Sequence, residues 1–508
     1  MTSRPACDSL LLISGVGLTR FLFRSHYLYD LDSVNFALGM GHFDPTVHQP
    51  HPPGYFLYVC LGRLAQRAFP DANTALVALS IVASCAAAGM MYALTSEWFG
   101  RRAAVFAGLL FLFSPLCWFH GIVALTYILE AFFSSLVGYL CWRAYQGRAW
   151  FLVPAAVALG IAAGFRQSTL LFLGPLWLLS LRRARWDQRI VGAGALVLSV
   201  LAWFVPMLAA SGGATVYFGA LYRLWRMVPA KRTVVNSSIA MSVARFCYIA
   251  GGYGICFGAA SCLPCLASPA AASDRDKKVF TWVWILPGLL FFTFVFFVFV
   301  NSGYLLVLSP PVFAWLGWRA AVWYGGAPMR RGKMFLVGAF AAINTAFFLL
   351  APLYCSYRSV RNFERELTRG LSSVRSLGGP SDTLIVGVDA HFLGYRHAGY
   401  YLPDYLTVQY PELQFPAGER VFAMERRETV LLGKLPPGRF NSFVIFPLPP
   451  GEEYQEYLQK LSDRFPPGEL RAAVAEGRKF LIPAAQLRAL FPTVAAPGRA
   501  YTQSHSGR

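Results

Sequence analysis

Over its first two thirds the chain alternates long apolar runs with short polar connections. Runs at about 9–24, 74–95, 103–119, 124–142, 150–165, 168–181, 190–210, 242–266, 279–299, 303–324 and 334–354 are long enough, or nearly so, to cross a bilayer as helices. The pattern predicts an all-α polytopic module over residues 1–354 with about eleven spans. Beyond Leu353 the alternation becomes that of a soluble domain. Residues 383–388 and 443–446 read as buried strands bounded by turn residues. Residues 452–464 read as an amphipathic helix with Tyr454, Tyr457, Leu458 and Leu461 on one face, and residues 358–375 as a polar helical connector. Residues 355–508 are thus expected to form a small α/β domain outside the membrane.

Composition supports this division. Of 508 residues, 56% are apolar and 14% charged, against about 25% charged in soluble domains. That excludes a disordered chain, a disulfide scaffold and an ordinary cytosolic globule. The net charge of +20 first suggests nucleic acid, but its distribution excludes that partner. Residues 1–354 hold 26 Lys+Arg and 10 Asp+Glu, leaving 19 and 15 for the remainder. The cations Arg4, Arg101/Arg102, Arg143/Arg148, Arg182/Arg183/Arg185/Arg189, Arg275/Lys277/Lys278 and Arg330/Arg331/Lys333 fall on alternate connections, as the positive-inside rule requires of cytoplasmic loops. This puts the N-terminus in the cytoplasm and the tail outside, with long outer loops at about 25–73 and 211–241. Arg20 and Arg24 interrupt the first apolar run and no A-x-A-like site follows, so that run reads as an uncleaved anchor. The ten cysteines cluster in or beside the membrane part; Cys262 and Cys265 have C-x-x-C spacing without a second ligand pair, and packing accounts for them.

Acids are scarce enough in residues 1–354 that their placement is informative. Asp8, Glu97, Asp187, Asp274 and Asp276 sit at cytoplasmic ends; Asp30, Asp32, Asp44, Asp71 and Glu130 fall at the outer face. Asp30 and Asp32 lie among aromatics in the first outer loop. Asp32 precedes Ser33-Val34-Asn35-Phe36-Ala37 as a helix cap would, and a carboxylate in such a setting can also act as a general base. His42, Asp44, His48 and His51 are metal-ligand types, but they lack close helical spacing; satisfied backbone groups or an anion are the other reading. Pro50, Pro52 and Pro53 suggest a rigid entry into an amphipathic stretch at 55–69 lying on the membrane surface. Glu130 and Arg166, near outer helix ends, are either a mutual ion pair or part of a site. Arg223, Arg226, Lys231 and Arg232 make the second outer loop basic, which suits an anionic ligand or lipid headgroups.

The layout resembles the GT-C glycosyltransferases that use polyprenyl-phosphate sugars, such as protein O-mannosyltransferases and the lipid A aminoarabinose transferase. Those enzymes carry an Asp-Glu pair just after the first membrane helix, followed by an aromatic and Ala. Asp32 to Ala37 is similar, with Ser33 in place of Glu. The resemblance implies that Asp32 is the catalytic base, helped by Asp30. His51-Pro52-Pro53 stands where relatives often have Lys-Pro-Pro, and Gly303-Tyr304 with Pro310-Pro311 is similar to their late Gly-Tyr…Pro stretch. It further implies a GT-C-like fold and transfer of a hexosyl or pentosyl group to an acceptor hydroxyl at the periplasmic face, with inversion. The acceptor is protein, lipid or polysaccharide. His51, Arg166, Glu130, Arg226 and Tyr304 would bind the donor phosphate or substrate, and membrane lipid surrounds the enzyme. No resident metal is assigned, although a divalent cation is compatible. Compact loops and Arg-over-Lys usage point to a bacterial inner membrane. A multi-pass transporter or flippase of lipid-linked or anionic substrates is the rival class; it would place charges near mid-bilayer, often in repeated halves, and no repeat is visible. The missing Glu also leaves room for an inactive relative acting as a scaffold.

Overall fold

The computed structural model describes residues 4–227, 233, 236–262, 275–297, 302–325, 330–387, 391–409, 421–432 and 442–446. The expected helix at 452–464, and Asn301, Lys231, Arg232 and Cys265, lie outside them. The chain forms two compact units. One comprises residues 1–26 and 52–360, the other residues 27–51 and 361–508. The stretch at 25–73 is therefore divided: residues 27–51 cluster with the tail.

The first unit is helical. Its elements are α1 (Arg4–Leu22), then α3 (Phe56–Gln66), α4 (Ala72–Phe99), α5 (Arg101–Leu112), α6 (Pro115–His120), α7 (Tyr127–Tyr145), α8 (Leu152–Phe165) and α9 (Ser168–Ser180). They continue as α10 (Trp186–Ala210), α11 (Ala214–Met227), α12 (Ile239–Phe257), α13 (Arg275–Phe294), α14 (Ser309–Gly325) and α15 (Arg330–Leu350); α2 belongs to the other unit. Five described helices are long and apolar enough to cross a membrane: residues 72–99, 186–210, 239–262, 275–294 and 332–350. Most other apolar runs form shorter helices among the described residues, such as α5 with 12 residues and α9 with 13. Only 17% of the most apolar part of α10 is buried, and the same holds for the span at 332–350. Ile190, Leu198, Phe335 and Leu350 are each more than half exposed. Apolar faces of that extent are stable against lipid, not water. The chain is a multi-pass membrane protein.

Two apolar runs are broken where the sequence analysis drew them continuous. Residues 103–119 divide at Phe113–Ser114, because Pro115 starts a new helix and the Ser114 hydroxyl caps Cys117 N–H. Residues 303–324 begin as a 3₁₀ turn (Ser302–Val307) before Pro310 and Pro311 open α14. Helices approach closely through small residues, as lipid-embedded bundles require. A Cβ at Gly317 would lie 2.6 Å from the Ala103 carbonyl, and one at Gly138 would lie 1.7 Å from the Trp284 ring. The indole Nε1 of Trp284 donates to Ser134 Oγ (2.9 Å), and Ser134 Oγ in turn donates to the Val307 carbonyl. This ties α13 and the 3₁₀ turn to α7.

The second unit contains α2 (Leu31–Gly41), α16 (Tyr357–Leu377, from residue 361 onward) and α17 (Tyr395–Tyr401). Its strands are β1 (Thr383–Gly387), β2 (Thr407–Gln409), β3 (Val421–Glu425), β4 (Glu428–Leu432) and β5 (Ser442–Ile445). The strands form one sheet in the order β4-β3-β2-β1-β5. β1 pairs in parallel with β2 and β5, whereas β2–β3 and β3–β4 are antiparallel. The expected α/β character and both expected strands are present. The connector at 358–375 is more than polar: Phe363, Leu367, Leu371 and Val374 bury an apolar stripe at helical spacing.

Candidate functional site

The acids Asp30, Asp32, Asp44 and Asp71 separate by role, the first three in the second unit. Asp30, 3% exposed, is the N-cap of α2, and its Oδ1 accepts from Asp32 N–H (2.9 Å). The helix thus starts two residues earlier than a cap at Asp32 would require, and Asp32 lies in its first turn. Asp44 caps the short turn Pro45–Val47 and accepts from Thr46 N–H and the Thr46 hydroxyl. In the first unit, Asp71 caps α4 and holds Thr74 in the same way. Capping satisfies otherwise orphaned N–H groups and accounts for all three. Asp32 is different. Its Oδ1 lies 3.3 Å from His51 Nδ1, with side-chain exposures of 29% and 21%. The pair is partly open and its carboxylate is not a cap.

The backbone that delivers His51 is constrained. His48 has φ 60° and Asp44 pairs with Gln49 in an isolated bridge. Left-handed geometry at a non-glycine residue costs about 1–3 kcal/mol and persists only where surroundings enforce it. Behind α2, His397 is fully buried on α17. Burial depresses its pKa to about 3, and the adjacent backbone of Leu28 and Tyr29 offsets part of that effect. Among the described residues no three His, Cys, Asp or Glu side chains converge as a metal set, so His42, Asp44, His48 and His51 do not assemble one.

In the first unit Glu130 and Arg166 meet. Arg166, 6% exposed, follows the C-terminus of α8, where its charge suits the helix dipole. Its Nη1 lies 3.3 Å from Glu130 Oε2 on α7, and Glu130 Oε1 accepts from the Thr169 hydroxyl (3.2 Å). The guanidinium lies over the rings of Tyr127 (4.4 Å), Tyr304 (4.5 Å) and Tyr55 (5.9 Å), an arrangement that stabilises a desolvated cation. His120, fully buried, packs edge-on to Tyr127 with ring centroids 4.9 Å apart. Gly303 is required beside it, since a Cβ there would lie 2.6 Å from both His120 and Tyr127. Next to Arg166, Gln167 donates to the Pro53 carbonyl (3.2 Å) and to Tyr217 Oη (3.0 Å). This ties α11 to the Pro-Pro entry of α3.

The structure therefore brings Asp32 together with His51, and Glu130 together with Arg166 and Tyr304. Arg226 lies exposed on α11 with its guanidinium over Tyr222 (5.9 Å); the α11 side chain that reaches Gln167 is Tyr217. Sequence reasoning missed Tyr55, Tyr127, His120, Gln167 and Tyr217. Only the adjacency of Gln167 to Arg166, and of Tyr55 to the proline run, offered a signal.

Residues 45–190 match the family model described as the protein O-mannosyl-transferase TMEM260 N-terminal domain. No curated protein matches the chain. The structure is similar to that of ArnT from Cupriavidus metallidurans bound to undecaprenyl phosphate, with a TM-score of 0.50 and 14% identity over 78% of this chain and 85% of that one. It is also similar to the Archaeoglobus fulgidus oligosaccharyltransferase in the apo form, with a TM-score of 0.44 and 13% identity over 80% of this chain and 64% of that one. The fold is of the GT-C glycosyltransferase type.

Proposed function

We propose that this protein is a membrane glycosyltransferase that moves a sugar from a polyprenyl-phosphate donor to an acceptor hydroxyl on the periplasmic side of a bacterial inner membrane. The observation that carries the reading is the Asp32–His51 pair: one carboxylate of the first outer loop is spared from capping and partly open. The fold shared with ArnT, whose structure holds undecaprenyl phosphate, supports a lipid-phosphate donor. The family match over residues 45–190 favours a protein hydroxyl as acceptor.

In this mechanism Asp32 takes the proton of the acceptor hydroxyl. The resulting oxygen attacks the anomeric carbon as its bond to the lipid phosphate breaks, so the configuration inverts. His51 holds the Asp32 carboxylate in place and Asp30 fixes the helix start that presents it. In the helical unit Arg166, with its charge balanced by Glu130 and its face covered by Tyr304 and Tyr127, holds α7, the end of α8 and the 3₁₀ turn together. Arg226 on α11 serves donor headgroup contact.

The test is turnover of radiolabelled polyprenyl-phosphate sugars by the purified full chain. Asp32→Asn is expected to lower kcat by about 10²–10⁴-fold while the protein remains folded. A wild-type rate in that variant removes Asp32 from the mechanism, and an unchanged glycan profile after deletion of the protein counts against transfer itself.

A further inference from the structure

The tail unit had no role in the sequence reading, yet residues 27–51 cluster with it rather than with the helical unit. Hydrogen bonds show how. At the near end of the acidic segment, Leu28 N–H donates to Tyr401 Oη (2.9 Å) and Leu31 N–H donates to the His391 carbonyl (2.9 Å). Tyr29, 1% exposed, lies between the rings of Phe363 and Phe392, each at 5.1 Å. At the far end, Arg396 Nη2 donates to the Val47 carbonyl (2.8 Å), and Gln49 Oε1 accepts from Thr429 N–H (3.1 Å). Arg396 Nη1 also reaches Thr429 Oγ1 (3.3 Å). Asp32 follows the first clamp by one residue and His51 follows the second by two.

Arg396 and Tyr401 stand on the same seven-residue helix, α17. Arg396 is 2% exposed and is satisfied by neutral oxygens. A buried guanidinium spent on a loop carbonyl is a costly device unless the loop's position matters. We infer that α17 is the positioning element of the proposed active site, with Tyr401 and Arg396 holding the two arms of the acidic segment so that Asp32 and His51 meet. The tail is then part of the catalytic apparatus. Both residues act through backbone and do not touch substrate. The inference rests on the reading of Asp32 as the base, but the clamp itself can be measured without turnover.

The experiment compares wild type, Tyr401→Phe, Arg396→Gln and Asp32→Asn in the full chain reconstituted in nanodiscs. The His51 imidazole resonances, assigned by difference with His51→Gln, report whether the pair is formed. Both α17 variants are expected to move the His51 signals toward those of Asp32→Asn. They are also expected to lower kcat about tenfold or more, with KM for the lipid donor changed less than threefold. Tyr401→Phe removes a single hydroxyl and keeps the ring, so it serves if Arg396→Gln fails to fold. Unmoved His51 signals with a wild-type kcat in Tyr401→Phe overturn the inference, as does a loss confined to KM. Shifted His51 signals in a protein that turns over no polyprenyl-phosphate sugar would keep the clamp and reject the transferase reading.

Discussion

Glu130 and Arg166 show what a single residue can and cannot disclose in sequence. Each stands out as an ionisable group near an outer helix end, and the sequence leaves a mutual pair and a site role equally open. The structure forms the pair, because Arg166 ends α8 within reach of α7 and three tyrosines cover its charge. With both partners nearly buried, removal of one is expected to cost about 3–5 kcal/mol, since the other is left uncompensated. Arg166→Met should therefore destabilise the protein more than Arg166→Met combined with Glu130→Gln. Thermal unfolding of the four members of that double-mutant cycle checks this, and additive losses would show the pair to be uncoupled. Asp30 and Asp32 give the converse lesson. Both suit a cap by type, and only the backbone path that tertiary contacts impose selects Asp30 and leaves Asp32 open.

At the scale of elements, hydropathy located the helices but not their ends. The break at Ser114–Pro115 and the 3₁₀ turn before Pro310 were written in local chemistry that an apolar average hides. Which glycines are packing sites was not legible, because neighbours distant in sequence decide it. Gly138 faces Trp284, whose Nε1 is already held by Ser134. Gly138→Ala is expected to cost about 1–3 kcal/mol through overpacking. A Cβ at Gly174, on α9, meets nothing within 4 Å, so Gly174→Ala should be neutral or mildly stabilising by helix propensity. Chemical unfolding of the two variants side by side distinguishes these cases; equal losses would mean that Trp284 does not constrain Gly138.

At the scale of the whole molecule, a buried titratable ring in the second unit makes stability depend on pH. His397 couples the tail unit to pH. Its buried ring is neutral in the folded state, with a pKa lowered to about 3, while the unfolded chain titrates near 6.5. Above about pH 6.5 neither state binds a proton at this ring and its contribution is constant. As pH falls from 6.5 towards 3, only the unfolded state gains the proton, so the stability of the unit declines. Hydrogen exchange of the β1 and β2 amides in the full chain should therefore quicken from pH 7 to pH 5, after correction for intrinsic rates. His397→Phe, which keeps an aromatic beside Phe363, should flatten that dependence; an equal slope in the variant would assign it to other groups.

The sequence by itself determined a polytopic helical module followed by an α/β tail, and it singled out the acids that gather at residues 30–44. It could do so because hydropathy and charge are local and additive along a chain. Only the tertiary structure decided that the acidic segment belongs with the tail, that Asp30 caps while Asp32 faces His51, and that Arg166 is spoken for by Glu130. Those outcomes turn on hydrogen bonds and ring contacts between residues up to several hundred positions apart. A buried donor accepts whichever partner the fold presents, and residue type alone does not name it.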